Sequence, residues 1–122
     1  MHKKVISLFL LLAIVVMSGC GEQQKVKSVV KDFITDGLHQ DDYSVVEWGR
    51  QDSTFHVSAA MLRTMRAQGV KSAAYARPTG KLILQRVTYV TATDTIRQTF
   101  YLDETMTGVV GYKTDETRAV KK

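Results

Sequence analysis

Twelve of the thirteen residues from Val5 to Met17 are apolar, Ser7 being the exception. A helix that is apolar on every side has no place on the surface of a small soluble domain. His2, Lys3 and Lys4 precede the run, and Ser18 and Gly19 follow it. A basic head, a short apolar core and small residues at the end read as a secretory signal. The run is too short to span a bilayer comfortably, which takes roughly 20 residues. Residues 1–19 are therefore expected to be removed. The remainder has 103 residues with 15 basic and 12 acidic side chains, so the net charge falls from +5 to +3. That is one modest domain, too short for a barrel or two-domain enzyme and too apolar for disorder.

The chain has a single cysteine, Cys20, which excludes a disulfide framework and any cysteine-rich zinc site. Its setting is Met17-Ser18-Gly19-Cys20. This resembles the lipobox of bacterial lipoproteins, in which an aliphatic and two small residues precede the cysteine; Met17 stands where Leu is more usual. The resemblance implies that the Cys20 thiol receives a diacylglycerol, that the chain is cut before it, and that the new amino terminus is acylated. Two or more acyl chains hold a protein stably on a membrane that it does not span. In such lipoproteins an Asp after the cysteine favours the inner membrane. Gly21 in that place, and one acid in Gly21 to Lys25, imply the outer membrane with the domain facing the periplasm.

Residues 20–24 read as the lipidated tether. The four residues Gly21 to Gln24 reach only about 13–14 Å when extended, so the domain is expected to sit against the headgroups. Lys25, Lys27 and Lys31 read first as the solvated face of a helix; beside an anionic surface each contributes about 1 kcal/mol at most.

The single domain is expected over residues 25–113. Val26, Val29, Val30, Phe33, Ile34 and Leu38 recur at helical spacing, which predicts an amphipathic helix over 25–39. Tyr43 to Trp48 is β-rich, and Gly49 to Asp52 breaks its pattern. A second helix is predicted over Ser53–Gln68, capped by Ser53, Thr54 or Ser58 and stopped by a left-handed Gly69, with Arg63 and Arg66 facing solvent. Strands are predicted over Leu82–Thr91, Thr95–Leu102 and Thr107–Lys113, the first two joined as a hairpin at Ala92-Thr93-Asp94. Val110 and Tyr112 should face the same way. Residues 114–122 read as a polar, fraying tail. The fold class is α+β: the first helix packs on a curled antiparallel sheet of about four strands, with the second helix inserted after the first strand. By element order alone this resembles cystatin-like and NTF2-like folds, which host binding modules and enzymes alike.

Motifs that carry chemistry are nearly lacking. His39 and His56 are isolated and read as surface or cap residues, and no metal or cofactor is expected. No Ser lies in a nucleophile motif. The acidic pairs Asp41-Asp42, Asp103-Glu104 and Asp115-Glu116 fall at predicted turns or in the tail, where acids solvate and shape the chain. Gly108 and Gly111 read as bulges or close packing within a strand.

Charge is unevenly spread. No acid occurs between Asp52 and Asp94, a stretch holding Arg63, Arg66, Lys71, Arg77, Lys81 and Arg86. Arg63, Arg66, Lys71 and Arg77, with an exposed Tyr75, form either a solvated basic face or a binding patch. Trp48 reads as core. The expectation is a lipid-anchored envelope protein, not an enzyme, whose domain is a binding or assembly module. Its partner would be an envelope protein or an anionic glycan, and not nucleic acid. The alternative is a small enzyme using the concave pocket of an NTF2-like fold.

Overall fold

The structure is a computed structural model and describes residues 23–119. The chain is helical over 23–32 (α1), prolonged by a π-helical turn, Phe33–Gly37. Strand β1 (Ser44–Thr54), helix α2 (Ala59–Gln68) and strands β2 (Leu82–Val90), β3 (Asp94–Leu102) and β4 (Val109–Ala119) follow. The strands form one antiparallel sheet in the order β1-β2-β3-β4. The α+β expectation holds: α1 comes before β1 and α2 after it, and the sheet is curled and unclosed.

Alternation along the strands divides the sheet into two faces. The inner face takes Ile83, Val87 and Tyr89 from β2 and Phe100 and Leu102 from β3. They pack with Val26, Val30, Phe33 and Ile34 of α1. Each such side chain, fully buried, stabilises the fold by about 1.5–3 kcal/mol. The Phe33 ring is central, meeting Tyr75, Phe100 and Tyr112 at centroid distances of 5.6, 6.0 and 5.6 Å. The helix widens there: Leu38 N–H donates to the Phe33 carbonyl at 3.0 Å. A side chain on Gly37 would stand 3.1 Å from the Phe33 ring, so glycine lets the ring fold back over the turn.

The outer face is divided. At one end of the strands α2 lays Leu62 on Leu82, Tyr101 and Val110, with Met65 and Leu84 at the margin. Ser58 caps α2, its hydroxyl accepting from Met61 N–H at 3.2 Å. Among the described residues no helix lies over the rest of the outer face.

Several expectations are corrected. β1 does not stop at Trp48 but runs through Gly49 to Thr54, taking up register shifts between Val45 and Glu47 and between Trp48 and Gln51. Helix α2 starts at Ala59, because residues 53 and 54 still belong to β1. Gly69 is not left-handed (φ −92°); its Cβ would stand 2.8 Å from the Tyr112 hydroxyl, so close approach is what excludes a side chain there. β4 continues to Ala119, so residues 114–119 pair with β3 and do not fray. Val110 and Tyr112 face opposite ways, since the shift between Val109 and Gly111 turns Val110 outward. Gly111 sits at that shift and Gly108 against Ala76, as bulge and close packing require.

Candidate functional site

The uncovered half of the outer face carries two cross-strand rows of polar side chains. Register aligns Glu47, Thr88, Arg97 and Glu116 in one row, and Arg86, Thr99 and Lys113 in the next. Arg50 enters from the irregular stretch of β1 between Trp48 and Gln51. Gly49 brings that stretch close to β2: a Cβ there would lie 2.9 Å from the Arg86 Cβ. The result is an open trough of about 450 Å³ lined by Glu47, Arg50, Arg86, Thr88, Arg97 and Asp115.

The arginines differ in their partners. Arg97 faces Glu116 at 3.9 Å and is half exposed, a weak pairing in water. Glu116 is also engaged by Arg118, and Asp115 accepts from the Thr99 hydroxyl at 2.6 Å with Lys113 3.8 Å away. Arg50 and Arg86 are exposed and have no ion pair within 4.0 Å among the described residues. Like charges on neighbouring strands repel, so this pair of guanidinium groups presents two unused forks suited to carboxylate or phosphate oxygens.

Of the patch expected from sequence, Arg66 and Tyr75 are brought together. Arg63, Lys71 and Arg77 are exposed and share no hydrogen bond or ion pair among the described residues. Arg66 does not face solvent. Its Nε donates to the Val110 carbonyl at 2.8 Å, its Nη2 donates to the Ala76 carbonyl at 3.1 Å, and its guanidinium lies 4.9 Å from the Tyr75 ring. Nor is Tyr75 an exposed aromatic. Its hydroxyl donates to the Val70 carbonyl at 2.7 Å, and its ring packs on Phe33. Burial, aided by Tyr112 and opposed by Arg66, pushes its phenol up. Arg66 and Tyr75 are thus a clasp holding the loop after α2 across the edge of β4, where Ala76 N–H also donates to the Val109 carbonyl at 2.8 Å. A main-chain carbonyl partner leaves no mark in the sequence, so Arg66 carries the same sequence signature as a solvated arginine. Trp48 is half-buried, with the Lys27 ammonium 5.6 Å from its ring. Cys20 lies outside the described residues.

Other titratable groups have structural partners. Asp103 organises the β3–β4 turn. Its carboxylate accepts from Thr107 N–H at 2.8 Å, Gly108 N–H at 3.0 Å, the Thr105 hydroxyl at 2.8 Å and the Thr107 hydroxyl. Burial alone would raise its pKa, but these hydrogen bonds together hold it below the usual carboxylate value. On the inner face the Tyr89 hydroxyl donates to Gln98 Oε1 at 2.7 Å, and Gln98 Nε2 to the Thr114 hydroxyl at 3.1 Å. Burial first, then neighbouring Tyr112 and Tyr43, push Tyr89 up to about 12. The inner face of the sheet is packed against the apolar stripe of α1. His39 and His56 are exposed, and among the described residues no three His, Cys, Asp or Glu side chains converge as a metal site would need. No described helix is long and apolar enough to cross a membrane. The chain matches no protein-family model, no curated protein and no solved structure.

Proposed function

We propose that the chain is a lipid-anchored bacterial envelope protein, held through Cys20 on the outer membrane and facing the periplasm. Its domain is a binding or assembly module for an anionic partner. The observation that carries the binding role is the adjacent, unpaired Arg50 and Arg86 at the trough, with Arg97 across from them. Guanidinium groups fixed on three neighbouring strands recognise oxyanions with geometric as well as electrostatic selectivity. The anchor rests on the basic head, the apolar run and Met17-Ser18-Gly19-Cys20.

Two experiments test the parts separately. A photo-crosslinking residue in place of Thr88, used in native envelopes, should capture a partner that is lost when Arg50→Glu and Arg86→Glu are combined. An unchanged set of products counts against the trough. For the anchor, Cys20→Ser should abolish labelling by a fatty-acid probe; labelling that survives removes Cys20 from the account.

A further inference from the structure

We infer that the end of the domain carrying Phe55, Lys81, Lys25 and Met106 is a membrane-contact face, seated in the headgroup layer of the bilayer that holds the anchor. This rests on the reading of Cys20 as lipid-bearing. The observations come from three parts of the fold.

Thr54 pairs with Leu82 at the end of the β1–β2 ladder, so Phe55 and Lys81 leave the sheet side by side. Phe55 is the most exposed large apolar side chain among the described residues, at 69%. The start of α1 stands at this same end: Gln23, Ser53, Lys81, Glu104 and Met106 line one open hollow. Lys25 Nζ donates to the Thr105 carbonyl at 3.0 Å, tying the helix to the β3–β4 turn. Because residue 23 is already helical, only Gly21 and Glu22 separate it from Cys20. Three Cα steps reach about 10 Å at most, so this end is the one an acylated Cys20 draws to the surface.

The chemistry of the end fits a lipid interface. An apolar Phe ring buries at the boundary between headgroups and acyl chains, and lysine stems extend along apolar material while their ammonium groups reach phosphates. Asp52 and Glu104 balance Lys25 and Lys81, so the seat depends on the ring more than on anionic lipid. Arg86 lies four residues along β2 from Leu82, about 13 Å further from the bilayer, and Thr88 about 20 Å. The trough then opens above the headgroups, within reach of a partner in the periplasm.

The test uses the full lipidated chain, purified from membranes and reconstituted in phosphatidylcholine vesicles with brominated acyl chains. Phe55→Trp and, separately, Thr93→Trp at the opposite hairpin are each made in a Trp48→Phe background. The indole at position 55 should be quenched several-fold more strongly than the one at 93, with a blue-shifted emission. Equal quenching at the two positions, or none at 55, in protein that floats with the vesicles overturns the seat and leaves the anchor standing. If the unaltered chain carries no acyl mass and floats no better than Cys20→Ser, the anchor falls and the seat with it.

Discussion

The two halves of the outer face share the same three strands and differ in nearly everything else. Where α2 lies, β2, β3 and β4 present Leu82, Tyr101 and Val110; a few residues along the same strands present Arg86, Arg97 and Lys113. Backbone pairing is continuous across the boundary, so the ladder does not decide which half is core. Cover decides it. The helix removes one half from water, and the bare half keeps charges that would be costly to bury. In this chain the sheet is a scaffold whose apolar half and inner face hold the fold, while the charged half stays exposed.

That division is most directly broken through the side chains of the covered regions. Phe33→Ala should destabilise by about 3–5 kcal/mol in urea unfolding, since the ring joins α1 to β3, β4 and the loop after α2. Leu62→Ala, in a cluster of only four buried side chains, should fall toward the lower end of about 2–5 kcal/mol. If Leu62→Ala proves the more damaging, α2 and not α1 organises the sheet.

Gly69→Ala should follow at about 1–3 kcal/mol, as its methyl meets the Tyr112 ring and hydroxyl; a lowered melting temperature is the measurement. Asp103→Asn should cost about 1–3 kcal/mol at neutral pH by weakening a carboxylate's set of four hydrogen bonds. The pKa of Asp103 is lowered on folding, so its contribution is complete above the unfolded carboxylate value, near 3.9. It is lost as pH falls through the lower folded value. The gap between wild type and Asp103→Asn should therefore close in acid; a gap that widens there contradicts the turn's dependence on the ionised form.

The arginines give the smallest and most discriminating pair. Arg66→Lys should lose about 1–2 kcal/mol, because an ammonium cannot reproduce the fork to two carbonyls over the Tyr75 ring. Arg86→Ala should leave stability within about 0.5 kcal/mol, as exposed side chains without partners do. A clear stability loss at Arg86 would show that the trough belongs to the fold.

The parts of this organisation that the sequence made legible are those where burial imposes a period. The α1 stripe was readable from Val26 to Leu38, and the β2–β3 hairpin from its alternation and from Ala92-Thr93-Asp94, where the Thr91 hydroxyl accepts from Asp94 N–H at 3.0 Å. The period fails where a strand slips. Two shifts in β1 hid its run past Trp48, and one in β4 reversed Val110. The last residues of β4 are held by pairing with β3 and show no apolar face to read. Arg50, Arg86 and Arg97 come from three strands and meet only once register is known. The hairpin register then puts Arg86 and Arg97 on one face.

β1 is an edge of the sheet, and its pairing with β2 shifts register twice within eleven residues. A regular edge invites pairing with another chain, and bulges are one means of preventing it. The slips that hid β1 from a sequence reading thus also deny neighbouring copies a matching row of amides and carbonyls. An insertion or deletion that straightened β1 would be expected to show its effect with concentration: a dilute sample unchanged, and a concentrated one linked strand to strand.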